Sequence, residues 1–299
     1  MSVPYFPGCT LATKARGLDV SGRAAAAELG MALDELPDWQ CCGATFPLAT
    51  DNAMTLIAPT RVLIEAEKRG DRLATLCAIC YNVLRRTNAL LGRQPEMLER
   101  INWFVSSPSP GDTQGPGDGA ATYHGGVKVV HFLEMLRDDL GWGALGERVA
   151  RASGKDRLRG LRVAPYYGCL LLRPPSEMGL DDPDSPVILS DFLRALGAEP
   201  IGFAFQNECC GSYLAASQPE VPKALAGTIL AQAVRAGAQA IITACPLCQY
   251  NLDKRAASGP STERLPILYF TQLLVVALGL PEETWGFDGH LVDPHALFG

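Results

Sequence analysis

What the chain lacks narrows it first. Its 299 residues include four histidines, and charged residues make up only 19% of it at a net charge of −6. No run of lysine and arginine is interleaved with aromatics, so no nucleic-acid footprint is expected. The start, Met1-Ser2-Val3-Pro4-Tyr5, has no cationic region followed by an apolar stretch and does not read as a signal peptide. Long apolar runs are missing too: Leu273 to Leu280 is far too short to span a bilayer. No G-x-G-x-x-G loop is available for a flavin or a nicotinamide. What is left is a folded, 47% hydrophobic chain, long enough for two domains with real cores. The default compartment for such a chain is the cytoplasm, where thiols stay reduced.

Against that background the ten cysteines stand out. Cys9, Cys41-Cys42-Gly43 and the pair Cys77/Cys80 form one set; Cys169, Cys209-Cys210-Gly211 and the pair Cys245/Cys248 form another. The double cysteine and the C-x-x-C are separated by 34 residues in both copies, and the single cysteine precedes by 31 residues in one and 39 in the other. No cysteine is left over. Their density is too low for a disulfide scaffold, and adjacent cysteines rarely bridge because the ring is strained. Metal binding or thiol catalysis remains.

The elements between the cysteines repeat as well. Strands are expected over Val3 to Phe6, Met31 to Trp39 and Arg72 to Leu76, with helices over Leu18 to Leu29, Ala53 to Lys68 and Tyr81 to Leu91. The second copy gives strands over Arg162 to Tyr167, Pro200 to Phe205 and Ala240 to Ala244. Its helices run from Val187 to Leu196, from Val221 to Ala236 and from near Gln249. Val127 to Leu140 and Ile267 to Leu278 carry matching helical spacing, and Ser106 to Gly126, with six glycines and three prolines, reads as a lid or surface loop. Alternating strand and helix predicts an α/β fold of two pseudo-symmetric lobes, each a small parallel sheet with helices. The lobes divide at residues 1–150 and 151–299.

In such sheets ligands gather beyond the carboxyl ends of the strands, which is where this reading puts all five thiols of each lobe. The helix after each C-x-x-C adds a positive dipole end that favours thiolate. Zinc needs four thiolates, a redox dithiol uses two, and an iron–sulfur cluster is held by thiolates in a reducing compartment. Five ligands exceed what an ordinary cubane takes.

At these residues the chain resembles the CCG-domain family, whose signature is Cys, then Cys-Cys-Gly, then Cys-x-x-Cys. More closely it resembles the B subunit of heterodisulfide reductase, from Val3 to Leu278, including the segment His131-Phe-Leu-Glu-Met-Leu. The resemblance implies two noncubane 4Fe-4S clusters, one on Cys9, Cys41, Cys42, Cys77 and Cys80, the other on Cys169, Cys209, Cys210, Cys245 and Cys248. It further implies cleavage or formation of a disulfide between them, with the iron–sulfur C subunit and the flavin A subunit of such a complex as partners. An arginine-rich composition (20 Arg against 6 Lys) is commoner in GC-rich bacteria than in methanogens, and for a bacterial chain the resemblance implies the heterodisulfide-reductase-like complexes of sulfur oxidisers, which handle sulfur bound to a lipoyl carrier. The alternative in the same family is the electron-relay subunit of lactate or glycolate oxidation.

Other residues have a functional and a plain reading. Lys14, Arg16 and Arg173 follow the first cysteine of each copy and are candidates to hold an anionic substrate tail, or are solvated surface charges. His124 and His131 are candidates for proton delivery, with a core or capping role the plainer expectation for His131. Asn82 and Asn251 are helix-start residues that can donate toward a cluster. His290 and His295 lie in a tail from Gly286 to Gly299, expected at the surface or against a partner.

Overall fold

The computed structural model describes residues 2–44, 53–106, 121–154, 156–259 and 264–298. The first lobe comprises β1 (Ser2–Tyr5), α1 (Arg16–Glu28), β2 (Ala32–Glu35), α2 (Ile57–Glu67), β3 (Arg72–Thr75), α3 (Ala78–Arg93), α4 (Pro95–Ser106) and β4 (Lys128–His131). Short α5 (Phe132–Glu134), which continues as a π-turn over Met135–Leu140, and α6 (Trp142–Arg151) complete it. The second lobe runs β5 (Arg162–Pro165), α7 (Pro175–Met178), α8 (Ile188–Ala195), β6 (Glu199–Pro200), α9 (Glu220–Arg235), β7 (Ala240–Thr243), α10 (Pro246–Ser258), β8 (Ile267–Tyr269) and α11 (Phe270–Ala277).

Both sheets are parallel, with the same strand order: β2-β1-β3-β4 and β6-β5-β7-β8. Glycines with positive φ end the matched helices, Gly30 (φ +76°) after α1 and Gly197 (φ +83°) after α8. The expected two-lobed α/β fold is therefore present. In each sheet the chain leaves the first strand in one direction and returns on its other side. The strand order therefore reverses between β1 and β3, and between β5 and β7, the place where sheets of this kind bind ligands.

Several elements differ from expectation, each for a physical reason. The fourth strand of each lobe is hidden in a helical pattern, because Val130, Leu133 and Leu136 fit a 3.6-residue period across a strand–helix junction. The break falls at His131, whose Nδ1 accepts from Leu133 N (3.2 Å) while Glu134 Oε2 accepts from His131 N (2.8 Å). Tyr269 and Gln272 make the same box in the second lobe, with Tyr269 N donating to Gln272 Oε1 at 2.8 Å. Of Pro200 to Phe205 only Pro200 joins a strand, the last residue of β6; proline brings no amide to a ladder. The helices after the C-x-x-C motifs start at Ala78 and Pro246, directly behind the first cysteine. Most of the expected loop, residues 107–120, lies outside the described residues.

The two lobes share one core. Phe270, fully buried, meets His131 (5.7 Å between ring centres), Phe132 (6.3 Å) and Phe192 (5.8 Å). Helix α1 packs on α11, where Ser21 Oγ and Thr271 Oγ1 stand 2.7 Å apart. The tail folds onto its own chain: Leu291 N and Val292 N donate to Asp253 (2.7 and 3.0 Å), and Trp285 and Phe287 are buried. His290 contacts Gln272 and Gln249 (3.0 and 3.3 Å), and His295 pairs with Asp293 and Glu282. Within the tail His295 and Leu291 are exposed, at the surface as its composition suggests, whereas Phe287 is buried and His290 is half-buried against Gln249 and Gln272. Phe270→Ala removes the aromatic shared by both lobes and should cost about 3–5 kcal/mol, read as a lower midpoint in anaerobic urea denaturation.

Candidate metal centres

Each lobe draws its five sulfurs together by the same means. Cys9 follows β1 through a turn at Gly8, Cys77 follows β3 at the residue just before α3, and Cys41 and Cys42 follow β2 through Leu36 to Gln40. The sulfurs then meet in pairs, Cys9 to Cys41 at 3.4 Å and Cys42 to Cys80 at 3.6 Å. In the second lobe Cys210 and Cys248 are 3.5 Å apart, Cys209 accepts from Cys169, and Cys245 accepts from Cys248 N at 3.4 Å. All five line one small pocket, with Tyr167, Leu170, Ser212, Tyr213 and Leu247 as the remaining wall. Among the described residues no three such ligands already surround a single-ion position; the contacts are pairwise.

Backbone closeness explains the glycines. A Cβ on Gly8 (φ +77°) would stand 2.6 Å from Cys80 Sγ, and one on Gly168 (φ +63°) 3.2 Å from Cys248 Sγ. Only a residue without a side chain lets the first loop pass so near the second sulfur of the C-x-x-C.

Crowded thiols share protons, and their acidities split accordingly. Cys41 and then Cys80 donate to Cys42, bringing it down to about 4 against the cost of burial. Cys41, as donor to Cys42, is held well above the usual thiol range. The Cys169 donor brings Cys209 down to about 6, and the Cys248 donor, helped by Ser212, brings Cys210 to about 7. Burial comes first in pushing Tyr166 and Tyr269 upward, and the negative cysteines add to it. A site of this kind releases protons when it takes a cation, so its affinity rises with pH.

The other singled-out residues fall into distinct places. His131 is wholly buried; Nε2 lies 3.0 Å from Leu76 O, and burial lowers its pKa to about 3, so the ring serves the cap and the core. His124 stands in the open beside Glu67 (3.0 Å), and Glu67 also takes the amides of His124 and Gly126. Arg173 donates to Asn207 O (2.8 Å), tying the loop between Cys169 and Cys209. Lys14 and Arg16 are exposed where the turn after Cys9 enters α1, and neither has an ion-pair partner among the described residues. Asn82 reaches across to the other lobe instead of toward sulfur, donating to Leu170 O (2.8 Å) and Arg173 O (2.7 Å). Asn251 does turn to its own cysteines, donating to Ser212 Oγ at 2.9 Å with Cys210 Sγ 3.8 Å away.

Two hydrogen bonds that the sequence reading did not anticipate join the lobes beside these sulfurs. Ala78 N, at the start of α3, donates to Ala244 O, just before Cys245 (3.0 Å). Tyr213, on the wall of the second pocket, donates its hydroxyl to Ala44 O, just past Cys42-Gly43 (3.1 Å). Burial raises the Tyr213 pKa, and the charges of Cys245, Cys169, Cys42 and Cys77 raise it further, so this phenol faces both cysteine sets. Its place directly after Cys209-Cys210-Gly211-Ser212 was the available signal.

Residues 3–85 and 163–253 match the family model described as a cysteine-rich domain, CCG. The chain is 30% identical over 297 residues, 98% of each chain, to the 8-methylmenaquinol:fumarate reductase membrane anchor subunit of Wolinella succinogenes. It is 25% identical to the B subunit of the ferredoxin/F(420)H(2)-dependent CoB-CoM heterodisulfide reductase of Methanosarcina acetivorans, over 96% of this chain and 92% of that one. A protein of Archaeoglobus profundus that is itself like the heterodisulfide reductase B subunit is 28% identical, over 94% and 92%. Among solved structures, a hypothetical protein from Helicobacter pylori shares the fold at a TM-score of 0.70 and 13% identity. The match covers 98% of this chain and about half, 52%, of that one. No described helix is long and apolar enough to cross a membrane.

The split in acidity is measurable. In metal-free protein at pH 7, iodoacetamide should alkylate Cys209 faster than Cys41, though both are exposed, because only Cys209 is largely thiolate there. The Cys209 rate should fall as pH drops through about 6, followed by peptide mass spectrometry.

Proposed function

The chain belongs to the cysteine-rich CCG-domain family, and from that premise we propose that it is the catalytic iron–sulfur subunit of a heterodisulfide-reductase-like oxidoreductase. In this reading it breaks or forms a sulfur–sulfur bond between two 4Fe-4S groups of noncubane type. One would be held by Cys9, Cys41, Cys42, Cys77 and Cys80, the other by Cys169, Cys209, Cys210, Cys245 and Cys248. The observation that carries the proposal is the meeting of two complete thiol sets at one boundary between lobes. The Ala78–Ala244 and Tyr213–Ala44 hydrogen bonds cross that boundary beside both sets.

The residues present fit such groups. The donor set is all sulfur, the second pocket is walled by all five thiols, and Gly8 and Gly168 clear room beside the C-x-x-C sulfurs. When bound, each group supplies one electron at a time at fixed sulfur ligands.

A disulfide takes two electrons and two protons to give two thiols, so two one-electron sites facing one gap match that stoichiometry. Within the gap the chain's own groups do the positioning. Tyr213, kept as a neutral phenol by its surroundings, donates its one proton to Ala44 O and so holds the loop after Cys42-Gly43 against the wall of the second pocket. Asn82 fixes the loop after Cys169 from the first lobe, and the His131 cap fixes the turn before Cys77 through Leu76 O. Lys14 and Arg16, beside exposed Cys9, are the cations best placed for an anionic tail. Electrons would arrive from the iron–sulfur C subunit and the flavin A subunit of the complex, and the substrate would be a small disulfide or a lipoyl carrier.

The similarity to the Wolinella subunit favours a second reading, an electron relay without a sulfur substrate of its own. Visible absorption separates the two: added disulfide perturbs the spectrum of the loaded protein in the first case and leaves it unchanged in the second.

Protein purified without oxygen should contain iron and acid-labile sulfide, whereas zinc without sulfide overturns the proposal. Cys42→Ala and Cys210→Ala should each remove about half of the iron and abolish two-electron turnover. Tyr213→Phe should keep the iron and raise KM for 2-hydroxyethyl disulfide about two- to tenfold, the worth of one hydrogen bond.

A further inference from the structure

The two sites have matching sulfurs but unequal surroundings. Two residues after the double cysteine stand Ala44 in the first lobe and Ser212 in the second; three residues after the C-x-x-C stand Val83 and Asn251. Both exchanges replace an apolar side chain by a hydrogen-bond donor, and the two donors act as a pair. Asn251 Nδ2 donates to Ser212 Oγ at 2.9 Å, and Ser212 Oγ lies 3.0 Å from Cys210 Sγ. Leu247 O, the other acceptor within reach of the serine, is farther at 3.3 Å. A thiolate is also the stronger acceptor, so the serine proton points to sulfur.

Other contacts to sulfur largely cancel between the lobes, except that Cys248 N donates to Cys245 Sγ (3.4 Å) where Cys77 takes no such bond, a difference in the same direction. Gly43 and Gly211 amides reach Cys41 and Cys209, and Ala44 and Ser212 amides reach Cys42 and Cys210. Cys41 and Cys209 are both exposed. In the opposite direction stands Thr10, whose hydroxyl is 3.8 Å from exposed Cys9 where the second lobe has Leu170. That contact is longer and wet, and so weaker than the buried pair at Cys210.

We infer that Ser212 and Asn251 make the two iron–sulfur sites electronically unequal, the second-lobe site having the higher reduction potential. The inference rests on the iron–sulfur reading above. Its physical cause is simple: a reduced group carries one more negative charge, and a donor dipole aimed at a ligand sulfur favours that state. The second-lobe site is therefore reduced first, and the first-lobe site is the stronger one-electron reductant. The chain thus has a direction built into it, from the first lobe to the second.

The test is an anaerobic titration of the iron-loaded protein with dithionite, followed by electron paramagnetic resonance and visible absorption. The wild-type protein should take up electrons in two steps at separate potentials. Ser212→Ala and Asn251→Val should each shift the higher step downward and leave the lower one in place. Ala44→Ser, which adds a hydroxyl at the matching place in the first lobe, should shift the lower step upward. A single potential for both sites in the wild type overturns the inference. So do loaded variants in which neither step moves; in both cases the iron–sulfur reading stands. Protein that takes up no iron and sulfide overturns both.

Discussion

Bringing five ionisable sulfurs into one small region, in pairwise contact, is the constraint on which the rest of this structure depends. Neighbouring thiolates repel, and burial disfavours each charge separately. The protein answers with shared protons, which leave Cys42, Cys209 and Cys210 as the acceptors of their neighbours' thiols. It also sets the N-terminus of a helix at each C-x-x-C, where free amides and the helix dipole favour negative charge. A bound cation would take over from the shared protons and relieve the same repulsion.

Parallel sheets supply the frame for that crowding. Central strands buried on both faces end at one level, so the residues just beyond β1 and β3, or β5 and β7, converge without long side chains. Duplicating the lobe and joining the copies through Phe270, α1 and α11 turns two separate sulfur sets toward one boundary. The duplication is not exact. His131 and Tyr269 occupy matched positions at the ends of β4 and β8, paired with Thr75 and Thr243, yet one is tied to Leu76 O and the other to Gln249. Pro246 has no amide to offer where Ala78 donates across the lobes.

Much of this is legible in the residues, and the limits have physical causes. Cysteine spacing carries through because Cys77 and Cys245 follow β3 and β7 closely and Cys80 and Cys248 fall in the first turn of the next helix, while Cys41-Cys42 and Cys209-Cys210 arrive on loops beyond β2 and β6. The two-lobed α/β class follows from elements repeated in order. The fourth strands are hidden because β4 and β8 run straight into helices, so apolar residues fall on a helical period through the junction. Cap chemistry at His131 and Tyr269 depends on side chains three residues away, Glu134 and Gln272, whose roles composition does not reveal. The tail's tie to the body is hidden for a similar reason: its anchor, Asp253, stands 38 residues before Leu291.

By itself the sequence determined the ten thiols, their grouping into two matching sets and the fold that carries them, since these depend on residue type and local order. Only the tertiary structure decided that the sets face one boundary, that Tyr213 spans it, and that Ser212 and Asn251 point at Cys210. Those facts depend on distances between residues far apart in the chain, where hydrogen bonds and field act and spacing along the backbone says nothing.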